Sequence, residues 1–167
     1  YHKTLNYGDC ILEKRAAAAA GINEKVFVNT KGQISEGTVS NIFFVRKNMI
    51  YTPQLSCGLL PGILREYIME RFQVTETIIY PDELMYYEEC FVTNSLMGVM
   101  PVRQLGNICF PHRAKADEVR EVYEKEKMSL AQMMIEEKEP VDKISKYTGY
   151  AIDKLKEIAA AMGQTLV

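Results

Sequence analysis

The spacing of hydrophobic and polar residues changes several times along the chain, and each change predicts a different element. GDCILEKRAAAAAG, residues 8–21, places strong helix formers between Asp9 and Gly21 and predicts a helix. KVFVNTKGQISEG (25–37) and NIFFVRKNMIYTP (41–53) each carry β-formers on both sides of a short polar turn, which predicts two hairpins. The first third of the chain therefore combines a helix with a sheet.

Strand and helix patterns then alternate through the middle of the chain. LPGILREYIMERF (60–72) repeats apolar residues at helical spacing from Pro61 onward. The remaining patterns are a strand at VTETIIY, a short helix at PDELMYYE, and strands at CFVTNS and VMPVRQL. The sequence to about Phe110 therefore predicts a mixed α/β domain.

The composition changes after this domain, where β-formers become rare and charges of both signs alternate with apolar residues at helical spacing. This pattern predicts one long helix, followed beyond Pro140 by two short helices that join at Gly149. We therefore predict a domain over residues 1–112 and a helical extension over residues 113–167 that ends in a helix-turn-helix-like unit.

Composition and charge exclude several classes of function. The 167 residues are 47% hydrophobic and 25% charged, and the net charge of −2 lacks the basic excess that nucleic acid binding requires. The four cysteines are widely spaced and form neither a metal-binding pair nor a disulfide framework, which favours reduced thiols in a cytoplasm. The sequence also lacks an apolar run long enough to cross a membrane. The two histidines, His2 and His112, are too far apart to suggest a metal or hydrolase motif.

Five motifs occur in one order along residues 1–110. Lys3 heads the stretch KTLNYGD, and GQISEGTVSNIFFV, YTP, GLLPGILRE and EECFVTNSLMGVMPV follow it. This succession resembles the C-terminal domain of the class IV, fold type IV, pyridoxal-phosphate aminotransferases. That family includes branched-chain and D-amino-acid aminotransferases and aminodeoxychorismate lyases. The resemblance implies a cofactor-binding pseudo-barrel of the D-amino-acid-aminotransferase-like fold, with pyridoxal 5′-phosphate as the cofactor.

The resemblance also implies roles for individual residues. Lys3 matches the lysine that holds the cofactor as a Schiff base and moves protons at the substrate Cα. Glu36 matches the carboxylate beside the pyridine nitrogen, where its charge keeps that nitrogen protonated. Tyr7 resembles the tyrosine that donates to the phenolic oxygen of the cofactor, and packing under the first helix is its alternative role.

The cofactor phosphate needs backbone N–H groups at a helix N-terminus together with small hydroxyl side chains. By resemblance, Gly62 permits close approach, and the N–H groups of Ile63 and Leu64 point at the phosphate. The family often has threonine at the position of Leu64, so one hydroxyl is missing here. Ser95 supplies another hydroxyl, and the backbone of Leu96 contributes to binding of the substrate carboxylate.

The turn NSLMGVMPV is more similar to aminodeoxychorismate lyases than to branched-chain aminotransferases, whose turn carries Gly-Thr and small residues. The predicted reaction is therefore release of pyruvate and 4-aminobenzoate from 4-amino-4-deoxychorismate. The alternatives are a branched-chain or D-amino-acid aminotransferase and a non-catalytic remnant. The family resemblance implies a small-molecule substrate, a homodimer and a preceding N-terminal domain, and the start without methionine leads us to expect a fragment.

A DNA-binding tail is the alternative of a different class. It would need several exposed basic residues on its second short helix, and only Lys154 and Lys156 qualify, offset by Asp153 and Glu157. Outside the site, Arg65 lies in the first turn of a helix, where a cation is unfavourable, so we expect a carboxylate partner or an exposed position.

Overall fold

A computed structural model describes residues 8–166, which form a mixed α/β fold followed by helices, as the sequence predicts. Lys3 and Tyr7 lie outside the described residues. The helices are α1 (Gly8–Ala19), α2 (Ile63–Arg71), α3 (Ala114–Glu136), α4 (Val141–Thr148) and α5 (Ile152–Ala161). The strands are β1 (Val26–Val28), β2 (Ile34–Gly37), β3 (Asn41–Arg46), β4 (Met49–Pro53), β5 (Val74–Thr77), β6 (Glu89–Asn94), β7 (Gly98–Val102), β8 (Gln104–Leu105) and β9 (Ile108–Cys109).

Both predicted hairpins form. Strands β1 and β2 pair antiparallel, with a left-handed Gly32 in the connecting turn (φ 77°). Strands β3 and β4 pair around Lys47 and Asn48, whose φ values of 50° and 63° are those of a tight hairpin turn. Asparagine tolerates this left-handed backbone better than most residues, so the local sequence favours the turn.

The larger sheet has the order β5-β4-β3-β6-β7. Its neighbours are antiparallel except for β4 and β5, which are parallel and are connected through α2. Phe43 of β3 stacks on Phe91 of β6 with ring centroids 4.9 Å apart, and both side chains are fully buried. The paired residues Asn41 and Thr93 stand at one end of these two central strands. The buried sheet therefore presents both residues from a rigid support.

Two details differ from the sequence prediction. Helix α2 begins at Ile63 with Gly62 as its N-cap, so Pro61 precedes the helix instead of opening it. The segment predicted as a short helix at PDELMYYE forms a 3-10 helix, Pro81–Tyr86, in which the carboxylate of Glu83 accepts the backbone N–H of Tyr80 at 2.8 Å. Both differences are shifts of one or two residues or of helix type. In addition, the segment predicted as one strand at VMPVRQL is divided between β7 and β8, and β8 pairs with β9, which the sequence did not predict.

The first compact unit of the chain ends at Asp117, and the second begins at Glu118. The predicted boundary between residues 112 and 113 stays a prediction. In the second unit, apolar side chains of α3, α4 and α5 form a core that includes Met134, Ile144 and Leu155. Gly149 takes a left-handed conformation (φ 68°) between the two short helices, where the sequence places the pivot. Across residues 8–166, every helix is too short or too polar to cross a membrane.

Candidate active site

One cleft of about 510 Å³ opens at the end of the central strands. Three segments line it: the end of β2 with the loop that follows, the residues that lead into α2, and the turn between β6 and β7. Six residues that the sequence assigned to a site lie together here: Glu36, Gly62, Ile63, Leu64, Ser95 and Leu96. These residues are far apart along the chain, so the fold brings them into one place.

Glu36 lies on β2 with its carboxylate facing this cleft. Its Oε2 accepts the backbone N–H of Leu60 at 3.0 Å. Burial raises the pKa of the Glu36 carboxyl above its ordinary value, and the Leu60 N–H opposes that effect only in part. Within the described part of the chain the carboxylate has this one neutral donor and no paired cation. Such a carboxylate is suited to binding a cationic group of a ligand.

Leu60 is held through both of its backbone polar groups. Glu36 accepts its N–H, and the Nδ2 of Asn41 donates to its carbonyl oxygen at 2.8 Å. A Cβ built on Gly62 would collide with Oδ1 of Asn41, although the backbone there (φ −81°, ψ 143°) suits any residue. Glycine is needed at position 62 because Asn41 approaches closely, and sequence reasoning gave Asn41 no role.

The N-terminus of α2 opens into the cleft beside a buried hydroxyl group. Gly62 provides no side-chain cap, and the N–H groups of Ile63 and Leu64 have no intrahelical acceptor. Thr93 is 1% exposed, and its Oγ1 has no hydrogen-bond partner among residues 8–166. Thr93 lies within β6 and lines the cleft, although the sequence around it, Thr93-Asn94-Ser95, is typical of a turn. Free helical N–H groups and a hydroxyl group together suit a phosphate dianion.

The β6–β7 turn is organised by Asn94. Its Oδ1 accepts the N–H groups of Leu96 at 2.9 Å and Met97 at 2.7 Å, and its Nδ2 donates to the carbonyl of Val39 at 3.0 Å. Asn94 is therefore a turn former that also joins two sides of the cleft. The N–H of Leu96 is used within the turn, so it must exchange partners before it can bind a substrate carboxylate.

The family model for amino-transferase class IV matches residues 1–105. The chain belongs to the class IV aminotransferase family. A Thermotoga maritima protein, provisionally assigned as a branched-chain-amino-acid aminotransferase, is 34% identical over 90 residues, which are 51% of this chain and 33% of that protein. The chain thus spans about a third of the length of this curated relative.

Two solved structures of class IV enzymes share the fold. A Legionella pneumophila protein, provisionally assigned as a 4-amino-4-deoxychorismate lyase, has a TM-score of 0.69 and 30% identity, covering 74% of this chain and 48% of that chain. The PLP form of a Thermobaculum terrenum branched-chain amino acid aminotransferase has a TM-score of 0.63 and 28% identity. The match covers 72% of this chain and 44% of that chain. The predicted family, fold and cofactor class are confirmed.

The class IV site in this chain fits pyridoxal phosphate. The cofactor carries a phosphate dianion at one end and a basic pyridine nitrogen on its ring. Among residues 8–166 the hydroxyl of Thr93 has no partner and the carboxylate of Glu36 has no cation. The hydroxyl and the open N-terminus of α2 suit the phosphate, and the carboxylate suits a protonated nitrogen. Within residues 8–166 there is no cluster of side chains able to hold a metal ion.

Two charged residues in motifs near the site have structural roles: Arg65 follows Leu64 of the cleft, and Glu89 lies at the opposite end of β6 from the cleft. Arg65 is 2% exposed, forms an ion pair with Glu76 and donates to the carbonyl of Pro53 at 3.2 Å. The expected carboxylate partner of Arg65 is therefore confirmed. Glu89 accepts the N–H groups of Lys115 at 2.9 Å and Ala116 at 3.1 Å, so it caps the start of α3.

Proposed function

We propose that this chain binds pyridoxal phosphate in the cleft and forms the cofactor-binding part of an enzyme that acts on the amino group of a small molecule. The observation that carries the proposal is Glu36, a partly buried carboxylate without a cationic partner among the described residues. Burial of a lone carboxylate is costly unless an opposite charge approaches it. A protonated pyridine nitrogen is such a charge.

Bound pyridoxal phosphate supplies an electron sink for reactions at the substrate Cα. In the proposal, Glu36 holds the proton at the pyridine nitrogen through its negative charge. Lys3 would hold the cofactor covalently through Nζ, with the aldehyde oxygen released as water, and would move the proton at the substrate Cα. Tyr7 donates a hydrogen bond to the phenolic oxygen.

The phosphate end of the site is formed by backbone and hydroxyl donors. The N–H groups of Ile63 and Leu64 would hold the phosphate at the N-terminus of α2, where the helix dipole favours negative charge. The hydroxyl groups of Thr93 and Ser95 add two donors from the end of β6 and the turn after it. Gly62 keeps this region open to the ligand.

For the reaction itself we propose 4-amino-4-deoxychorismate lyase activity. The turn beside the cleft carries Leu96, which is 97% exposed, and Met97, where branched-chain enzymes more often have small residues. The likeness to the Legionella pneumophila protein supports this reaction. A branched-chain aminotransferase is the second candidate, favoured by the names of the curated relatives.

Cofactor binding is tested by adding pyridoxal phosphate to the purified chain and recording the visible absorption of lysine-bound cofactor. Borohydride reduction and peptide mapping should place the cofactor on Lys3. The variant Lys3→Ala should lose the band and the label, whereas Lys31→Ala, in an exposed hairpin turn, should keep both. A protein that stays unlabelled, or a label on another lysine, refutes the proposed site.

The two reactions differ in whether an amino acceptor is needed. A lyase should release pyruvate and 4-aminobenzoate from 4-amino-4-deoxychorismate over many turnovers with no keto acid added. An aminotransferase should stop after about one equivalent per site, because a covalent half-reaction then needs a second substrate. If product formation resumes only when a 2-keto acid is added, the lyase proposal is wrong and the enzyme is an aminotransferase.

A further inference from the structure

We propose that Glu24 is a positioning residue for this site. Its carboxylate fixes the loop of residues 37–41, and through that loop it holds Glu36 and Asn41 against Leu60. The inference rests on the proposed function, because it assigns Glu24 a part in cofactor binding. Glu24 lies outside every motif that the sequence analysis selected.

The contacts of Glu24 are concentrated on this loop. Its Oε1 accepts the backbone N–H of Thr38 at 3.1 Å and also the hydroxyl of Thr38. Its Oε2 accepts the hydroxyl of Ser40 at 3.2 Å. Alternate residues of the loop are therefore bound to the two oxygens of one carboxylate.

Glu24 is itself held in place. Its side chain is 14% exposed, and its Oε2 lies 3.5 Å from Nζ of Lys14 on α1. Oε1 also accepts the backbone N–H of Lys25 at 3.1 Å. Because a cation and several donors satisfy the charge of Glu24, this carboxylate can act as a fixed anchor, in contrast to Glu36.

The loop fits closely around this anchor. A Cβ built on Gly37 would collide with Oγ of Ser40 and would lie 3.2 Å from the side-chain carbons of Glu24. Glycine at position 37 therefore allows Ser40 to reach Glu24. The opposite side of the loop is held by Asn94, which donates to the carbonyl of Val39.

The loop transmits this restraint to the cleft. Glu36 precedes it and Asn41 ends it, and these two side chains bind the N–H and the carbonyl of Leu60. Leu60 stands two residues before Gly62, the N-cap of α2. Contacts thus connect Glu24 with the proposed phosphate-binding helix end, although Glu24 does not line the cleft.

The first test measures the affinity for pyridoxal phosphate together with thermal stability. Glu24→Ala should weaken binding by about tenfold or more, because one such factor corresponds to about 1.4 kcal/mol, the scale of a lost charged hydrogen bond. Glu24→Gln should recover much of the loss, since its Oε1 can still accept both donors of Thr38. The matched control is Glu13→Ala, which removes a 45%-exposed carboxylate paired with Lys25 and should change binding less than twofold.

A double-mutant cycle with Glu36→Gln separates positioning from general stability. If Glu24 acts by orienting Glu36, Glu24→Ala should weaken binding less in the Glu36→Gln background than in the wild type. Equal losses in both backgrounds overturn the positioning role.

Hydrogen exchange gives a readout that does not depend on the cofactor. Without ligand, Glu24→Ala should speed exchange of the Leu60 amide by tenfold or more relative to buried sheet amides such as that of Phe43. Unchanged protection of Leu60 overturns the positioning role, whether or not the wild-type chain binds pyridoxal phosphate. Failure of the wild-type chain to bind the cofactor refutes the proposed function instead.

Discussion

Replacing Gly62 with alanine should damage the site through one identifiable collision. The added methyl group would occupy the position of Oδ1 of Asn41. The backbone angles at residue 62 suit alanine, so the cost comes from the collision and not from strain. Asn41 is 7% exposed, its backbone is paired with Thr93 across the sheet, and its side chain is held by the bond from Nδ2 to the carbonyl of Leu60. It cannot move without giving up one of these contacts.

The size of the effect follows from the contacts that are lost. Breaking the bond from Asn41 to Leu60 costs about 1 kcal/mol, and a carbonyl left without a partner in a partly buried place adds about 1 kcal/mol or more. Alanine offsets about 0.4–1 kcal/mol by restricting the unfolded chain. A net loss of about 1–2 kcal/mol is expected. The affinity for pyridoxal phosphate should fall by about tenfold or more, because Leu60 leads directly into the N-terminus of α2.

The assay is a double-mutant cycle with Asn41→Ala, in which thermal unfolding and binding of pyridoxal phosphate are both measured. Removing the asparagine side chain removes the collision, so Gly62→Ala should cost much less in the Asn41→Ala background than in the wild type. If Gly62→Ala costs the same in both backgrounds, the close approach of Asn41 is not the reason for glycine at this position, and the reasoning fails.

Three further predictions concern Glu36, Glu89 and Asn94. Because burial raises the pKa of Glu36 above its ordinary value, the cofactor-free folded chain binds more protons than the unfolded chain in the pH range between the two pKa values. Its stability should therefore fall with rising pH there, and Glu36→Gln should remove this loss in pH-dependent urea unfolding. Glu89→Gln should lower stability by about 1 kcal/mol in urea unfolding, because α3 loses a charged cap, whereas exposed Glu88→Gln should change it less. Asn94→Asp keeps the turn acceptor but loses the donor to Val39 and adds a negative charge, so titration should show weaker cofactor binding with little change in melting temperature.

The elements that the sequence predicts correctly are those with local signals. Lys47 and Asn48 occupy a two-residue turn between strong β-formers, and Gly149 ends one short helix before another begins. Glu36 and Gly62 were found through ordered motifs that resemble a family. Six of the residues selected through these motifs line the cleft.

The supporting residues could not be predicted because their contacts are not local. Glu24 lies 14 residues from Thr38, and Asn94 lies 55 residues from Val39. Thr93 looked like a turn residue because it precedes Asn94 and Ser95, and only the register of β6 against β3 places it in the buried sheet. Composition and spacing do not reveal which strand will pair with which.

The helical tail has a helix-turn-helix outline, but the lysines of its last helix are paired with acidic residues. Helices α4 and α5 with the left-handed Gly149 have the expected helix-turn-helix outline. On α5, however, Lys154 lies 2.9 Å from Glu157 and Lys156 lies 3.0 Å from Asp153. Recognition of DNA needs basic side chains directed at phosphates, and these lysines are paired within their own helix. The tail geometry therefore gives no support to the DNA-binding alternative.

Two carboxylates near the cleft have opposite surroundings, and the contrast distinguishes a structural carboxylate from one that is suited to bind a ligand. Glu24 is surrounded by hydroxyl and N–H donors and by Lys14, so its charge is satisfied within the protein. Among the described residues, Glu36 has the single N–H donor of Leu60, and burial raises the pKa of its carboxyl, so its charge destabilises the cofactor-free chain at neutral pH. A cation bound at Glu36 removes this destabilisation, so binding of the ligand raises the free energy of unfolding. Pyridoxal phosphate at a hundred times the dissociation constant of the wild-type chain should therefore stabilise that chain by about 2.7 kcal/mol. At the same concentration of cofactor, the weaker binding of Glu36→Gln should give a smaller gain.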